Sequence, residues 1–327
     1  MTPLTEIKID NINSLSDIQI KQISVLAAHR VNVIIRNQNL SKDDYARILR
    51  CFGVNPKRNV WFEDKDHHEV MYVTNKKICG DAGDRPGVFS KGELNWHQNG
   101  TLTLDPEDCV VLYCKQPTKD PCNTHFTNGI LAYENLPKDV KNLIADTELL
   151  LSAGNMPSFH KLKNPHFIKL HRKPKVLNNE RVWTDVPQEE LRELWSIQDR
   201  SRNPGCSIEL EMLDKVKRYN QDGARWNFVF KKLVHSHRLT GIKGLYFPFG
   251  SVVGFNNIPE NEWQDLFNML KSYVVDTSVE VDWQEGDLVL FDNTQGLHKR
   301  STFPKDENGN DQARELWRGA FWYHDIK

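Results

Sequence analysis

Trp96-His97-Gln98-Asn99-Gly100 is the segment with the most chemistry in it. On a β-strand, side chains i and i+2 project to one face, so His97 and Asn99 would stand together. An imidazole nitrogen beside an amide oxygen is two thirds of a facial site for non-haem iron, which takes two histidines and a carboxylate. The second imidazole must come from elsewhere, and His298 is the candidate, in GDLVLFDNTQGLHKRS (286–301). There Gly286 and Asp287 make a turn, LVLF is a buried strand, and Asn293 begins a loop that aims His298 inward. Arg314 and Arg318 follow in RELWRGAFW. Guanidinium groups bind carboxylates bidentately. Four residues apart on a helix they would be a surface pair; the aromatic alternation of LWRGAFWY favours a strand, whose i and i+4 share a face.

Competing groupings are weaker. A lone histidine on an apolar strand is usually a satisfied core residue, and His97 or His298 taken singly would be read so. Cys109, Cys114 and Cys122 lie close together beside His125, but the six cysteines include no C-x-x-C pair and their spacings match no structural zinc site. Cys109 and Cys114 bracket VVLY, which makes them reduced core thiols. His235 and His237 share a face and could mimic a metal pair, although a structural role suits them better. Trp283 and Trp317 are read as core. No dinucleotide fingerprint follows a strand and no phosphate-cradling loop is present.

The elements that must position these residues are mostly short strands. Residues 15–29 form an amphipathic helix, followed by the β-rich VNVIIRN (31–37). Ser41 caps a second helix, with Asp44 three residues on and Gly53 at its end. VMYVT (70–74) is a strand, and the Gly-rich 75–93 a loop. Beyond 94 come LNWHQNGTL, CVVLYCK, a helix over YENLPKDVKNLIADT (133–147), LVHSHRLTG, GLYFPFG, a helix at 259–273, SVEVDWQ, DLVLFDN and RGAFWYH. This spacing favours an antiparallel β sandwich or barrel with helices outside it.

Composition bounds the function. The 327 residues carry 43 Lys plus Arg against 44 Asp plus Glu, a balance that speaks against a generic nucleic-acid binder. Nine Trp among 10% aromatic residues supply enough burial to exclude disorder. No run approaches a bilayer span, and the N-terminus lacks a secretory pattern, so a cytoplasmic, reducing location fits. One charge run stands out: Lys161, Lys163, Lys169, Arg172, Lys173 and Lys175, interleaved with Phe159 and Phe167. A solvated basic face, neutralised by Asp185, Glu189, Glu190, Glu193 and Asp199, explains it better than a nucleic-acid surface.

Six segments in order resemble the taurine dioxygenase (TauD/TfdA-like) family of iron(II)- and 2-oxoglutarate-dependent oxygenases. VNVIIRNQNLSKDDYARILRCFG (31–53) is similar to the family's N-terminal strand and helix. WHQN stands where the family has W-H-x-D. CNTHFTNGILAYENLP (122–137) resembles G-D-T-x-F-x-N-x-x-x-A-Y-E-x-L, and LVHSHRLTGIKGLYF (233–247) resembles V-x-x-H-P-x-T-G-x-x-x-L-x-V. GDLVLFDNTQGLHKRS is similar to G-D-x-x-x-W-D-N-x-x-x-x-H, and RELWRGAF to the closing R-x-x-x-R-x-T. The resemblance implies an α+β fold with a double-stranded β-helix (jelly roll, clavaminate synthase-like) core and flanking helices. It implies one oxygenase domain over 1–327, with 155–225 inserted near the active-site mouth.

The same resemblance implies Fe(2+) as cofactor and 2-oxoglutarate as cosubstrate. His97, Asn99 and His298 match the metal positions, Thr124 and Arg314 the holders of the far carboxylate of 2-oxoglutarate. Arg318 matches a residue that faces an anionic substrate group, and Trp96 would be a pocket wall. The substrate would be a small molecule, anionic or amino-acid-like, hydroxylated or desaturated. Asn99 departs from the pattern, since a neutral amide holds a hard cation less strongly than a carboxylate. Three readings stay open: an oxygenase tolerating the amide ligand, a non-catalytic or metal-impaired relative that binds a small ligand, or deamidation of the Asn99-Gly100 pair to restore aspartate. A halogenase fits less well, because Asn fills the position that halide would need.

Overall fold

The computed structural model describes residues 2–55, 63–78, 85–86, 92–101, 106–152, 175–177, 180–182 and 228–324. Most of the expected insertion at 155–225, including its basic run from Lys161 to Lys173, lies outside them; so do Cys79 and Cys206.

The chain is mixed α/β. A seven-stranded major sheet runs in the order Thr5–Glu6, Asn32–Ile35, Leu288–Asp292, Cys109–Gln116, Glu315–Tyr323 and Gly53–Val54, with Met71–Thr74 also paired to Glu315–Tyr323. A four-stranded minor sheet runs Val279–Val281, Thr124–Phe126, His298–Arg300 and Leu94–His97. Pairings are antiparallel, as the short-strand pattern predicts, apart from the parallel contact of Thr5–Glu6 with Asn32–Ile35.

Period-2 alternation sorts the major sheet's side chains into two cores. Val33, Ile35, Val111, Tyr113, Leu288, Leu290 and Phe321 face one way, onto Ile20, Ala27, Tyr45, Ile48 and Leu49 of helices α1 (Asp17–Arg30) and α2 (Lys42–Phe52). Ile34, Val110, Leu112, Val289, Phe291, Leu316 and Ala320 face the other way, meeting Phe126 and Val281 of the minor sheet. Because both faces are covered, these strands are continuous apolar runs rather than alternating ones.

Both helices start on capping boxes: Ser16 with Gln19, and Ser41 with Asp44 as the spacing predicts. Helix α2 lies so close that a Cβ on Gly319 would stand 2.3 Å from a Leu49 methyl. Tyr45 Oη donates to the carbonyls of Val111 and Trp317, locking the helix to two strands. The turn before Leu288–Asp292 has Gly286 at φ +87°, a conformation that glycine adopts without strain.

The single helix expected over 133–147 is instead two, α3 (Gly129–Asn135) and α4 (Lys138–Ile144). Pro137 is the cause: it pushes Leu136 into extended backbone (ψ 143°), ending one helix and preceding the next. Helix α5 runs over Trp263–Val275, later than the expected 259–273, because a 3-10 turn at Glu260–Glu262 precedes it. Helices α3, α4 and α5 bury Ala132, Val140, Ile144, Phe267 and Leu270 in a third core with Leu149, Leu151, Phe247 and Phe255.

Candidate metal and diacid site

The minor sheet brings the two candidate imidazoles together. His97 ends its strand and His298 begins the neighbouring one, and the two are direct partners in register. Their ring centroids are 4.1 Å apart with planes tilted 47°. Residues 201 positions apart in the chain thus meet at one point, as a shared ligand role requires. The Asn95 carbonyl oxygen lies 2.7 Å from His97 Nδ1; taking that nitrogen as the donor leaves the buried Nε2 with the lone pair. His298 Nδ1 is buried with no hydrogen-bond partner. Burial, reinforced by His97 alongside, holds the His298 imidazole well below its ordinary pKa and therefore neutral, the form that ligates metal.

Asn99 reaches the same cavity by a different route from the one expected. The strand stops at His97 and residues 99–101 form a turn, with Gly100 at φ +68°, so strand alternation does not place Asn99. Asn293 does. Its Oδ1 accepts the Asn99 backbone N–H at 3.0 Å, and its Nδ2 donates to the Asn99 and Glu107 carbonyls at 2.9 Å each. Asn99 then lines the cavity with His97 and His298. Among the described residues no three His, Cys, Asp or Glu side chains converge as a metal-holding group. The two imidazoles suit a metal ion, and Asn99 stands beside them on the cavity lining.

Thr124, Arg314 and Arg318 line that cavity too. Thr124 Oγ1 accepts the Trp283 indole N–H at 2.8 Å, so its own O–H is left to donate. Trp283 is core, as expected, and also orients this hydroxyl. Arg314 immediately precedes the Glu315–Tyr323 strand and is 2% exposed; its Nη1 donates to the Cys122 carbonyl at 3.1 Å, while Nε has no hydrogen-bond partner. Arg318, four residues on, lies 3.9 Å from Glu107. Val73, Leu94, Val110, Leu112, Phe291 and Leu316 supply the apolar part of the wall.

Trp96 is the expected site residue that the cavity does not include. Its ring lies edge-on to His125 (6.2 Å) and under Lys299 Nζ (5.1 Å), since residues 96 and 97 alternate faces. Its neighbour His125 is likewise turned away from the cavity that Thr124 lines, as alternation requires. Sequence reading missed Arg300, a third buried arginine on the cavity wall. Its position two residues after His298 on a strand was the available signal. Burial and the like charge of Arg314 bring its pKa down to about 10.

With this geometry in place, the comparisons decide the family. A family model for the taurine catabolism dioxygenase TauD, TfdA family matches residues 1–320. The chain belongs to that family. It is a 2-oxoglutarate-dependent dioxygenase, and iron(II) and 2-oxoglutarate are the family's cofactor and cosubstrate. Solved structures agree on the fold. A putative alpha-ketoglutarate-dependent taurine dioxygenase from Burkholderia xenovorans superposes with TM-score 0.62 at 16% identity, covering 100% of this chain and 88% of that one. AAD-2 in complex with Mn(II) and N-oxalylglycine gives 0.61 at 15% identity, with 99% and 96% covered. A putative 2,4-D dioxygenase from Burkholderia xenovorans gives 0.57 at 16%, with 97% and 93% covered. No curated protein matches the sequence. Among the described residues, no helix is long and apolar enough to cross a membrane.

Proposed function

We propose that this dioxygenase hydroxylates or desaturates a small anionic or amino-acid-like molecule, within one domain whose two facing sheets are a double-stranded β-helix. The observation that carries the reading is one cavity lined at once by His97, His298, Asn99, Thr124, Arg314 and Arg318. Imidazole nitrogens, guanidinium groups and a hydroxyl thus share one cavity lining.

His97, His298 and the Asn99 amide oxygen would hold iron(II). When bound, the iron supplies the oxidising chemistry. The protein's own part is positioning. Arg314, anchored on Cys122, and Thr124, whose hydroxyl is aimed by Trp283, take the far carboxylate of the cosubstrate. Arg318 takes an anionic group of the substrate. The apolar wall keeps bulk water from the reacting centre, which strengthens each of these charge contacts.

Supplying the protein with iron(II), 2-oxoglutarate, dioxygen and a panel of amino acids and small sulfonates tests the reading. Succinate formation that rises with one of them supports it. No succinate from wild type or from Asn99→Asp would overturn it. A second reading rests on Asn99: the chain binds a small ligand but is impaired in metal binding and turnover. Succinate formed by Asn99→Asp and not by the wild type would favour that reading. Peptide mass spectrometry belongs beside both, because a gain of about one dalton at Asn99 would mean that the wild-type site already carries aspartate (NH replaced by O on deamidation).

A further inference from the structure

Three arginines line the cavity, but the reading above uses two. Arg300 is the third, and its placement is specific. The His298–Arg300 strand pairs regularly with Thr124–Phe126, setting Arg300 directly opposite Thr124. Its guanidinium lies 4.2 Å from the centroid of the Phe303 ring, and that of Arg314 lies 5.2 Å from the same centroid. Arg300 and Arg314 are 3% and 2% exposed, and none of the described residues lining the cavity is an acid. Arg300 Nη2 also donates to the Gly92 carbonyl, which fixes the orientation of the fork. Thr124, Arg314 and Arg300 therefore converge on one place.

Two buried cations on one aromatic ring repel each other in a low-dielectric setting. A carboxylate placed between them turns that repulsion into two charge-assisted contacts. The spacing suits a short diacid. Arg300 lies two residues from His298 on a strand, a step of about 6.6 Å, which is the reach of a five-carbon chain held at one end by the metal site.

We propose that Arg300 is a second guanidinium anchor for the far carboxylate of the cosubstrate, acting with Arg314 and Thr124. The proposal rests on the cosubstrate assignment made above, and the experiment separates the two. Protein loaded with Mn(II) is titrated with 2-oxoglutarate and with 2-oxopentanoate, which carries a methyl group in place of the far carboxylate. Wild type prefers the diacid; if it binds the two alike, or neither, the cosubstrate assignment itself fails. Arg300→Gln weakens 2-oxoglutarate about 10- to 100-fold and leaves 2-oxopentanoate within about twofold, so the diacid preference collapses. Arg300→Lys keeps the charge without the fork and loses an intermediate amount, and it carries the test alone if the glutamine variant does not fold. Wild-type diacid affinity in the Arg300 variants while Arg314→Gln loses it would overturn the proposal. Equal weakening of both acids would also overturn it, marking Arg300 as a prop for the Gly92 loop.

Discussion

Two pairs of histidines in this protein differ in how they are assembled. His97 and His298 come from separate strands that the minor sheet brings into direct register, and their rings meet at 4.1 Å. His235 and His237 come from one strand and the turn after it, and their contacts diverge. His237 Nε2 faces Asp292 Oδ2 at 3.0 Å while its Nδ1 accepts the turn N–H groups of Leu239 and Thr240. His235 packs edge-on to the Tyr246 ring, both its ring nitrogens buried without hydrogen bonds. Sequence spacing lets the second pair mimic a metal pair, because i and i+2 share a face, although a structural role suits it better. That rule ends where the strand ends, at Ser236. Pairing register, not proximity in sequence, brings His97 and His298 together.

The contrast can be broken most forcefully at His237. His237→Ala leaves the buried Asp292 carboxylate without its imidazole, which should cost about 3–5 kcal/mol in denaturant unfolding. Asp292 keeps its bonds from Thr294 and Tyr323, and metal affinity should hold. A variant that lost metal binding but not stability would mean that the two pairs had been assigned the wrong way round.

Acid should expose the second pair next. Burial pushes the His235 imidazole down to about 3. Below pH 6.5 the unfolded chain protonates this histidine and the folded chain does not, so stability falls as pH falls from 6.5 toward 3. The loss attributable to His235 is about 2 kcal/mol between pH 7 and pH 5. His235→Phe should flatten the pH dependence of unfolding by about that amount. His298 shifts in the same sense and keeps its own share. An unchanged slope would show that His235 does not carry it.

Asn99→Asp sharpens the first pair by adding the carboxylate that the two imidazoles lack. Mn(II) affinity measured by calorimetry should rise roughly tenfold, about 1.4 kcal/mol. No change would mean that residue 99 does not reach the ion. The smallest effect is expected at Trp283→Phe, which removes one donor to Thr124 and should cost about 1 kcal/mol or less in stability. A modest weakening of 2-oxoglutarate binding should accompany it, without change for 2-oxopentanoate.

Much of the site was legible because its residues sit in motifs that recur in a fixed order: His97, His298, Thr124, Arg314 and Arg318 all line the cavity. Asn99 was legible for the wrong reason, since a turn pinned by Asn293 places it rather than strand alternation. The same alternation, applied one residue back, turns Trp96 away; applied two residues past His298, it would have found Arg300. In the fold, short apolar runs bounded by turn residues carried the antiparallel strands. The split of the 133–147 helix was there to be read in Pro137. The parallel pairing of Thr5–Glu6 was not, because two residues hold no period.

The central claim is that His97 and His298 hold one metal ion together. Anaerobic titration with iron(II) in the presence of 2-oxoglutarate tests it directly, through the weak visible charge-transfer band of the chelated metal. The band should appear with one equivalent of iron in the wild type or, where the amide binds too weakly, in Asn99→Asp, and should vanish in both His97→Ala and His298→Ala made in the same background. A band that survived either alanine substitution, or failed to appear even with aspartate at position 99, would contradict the account.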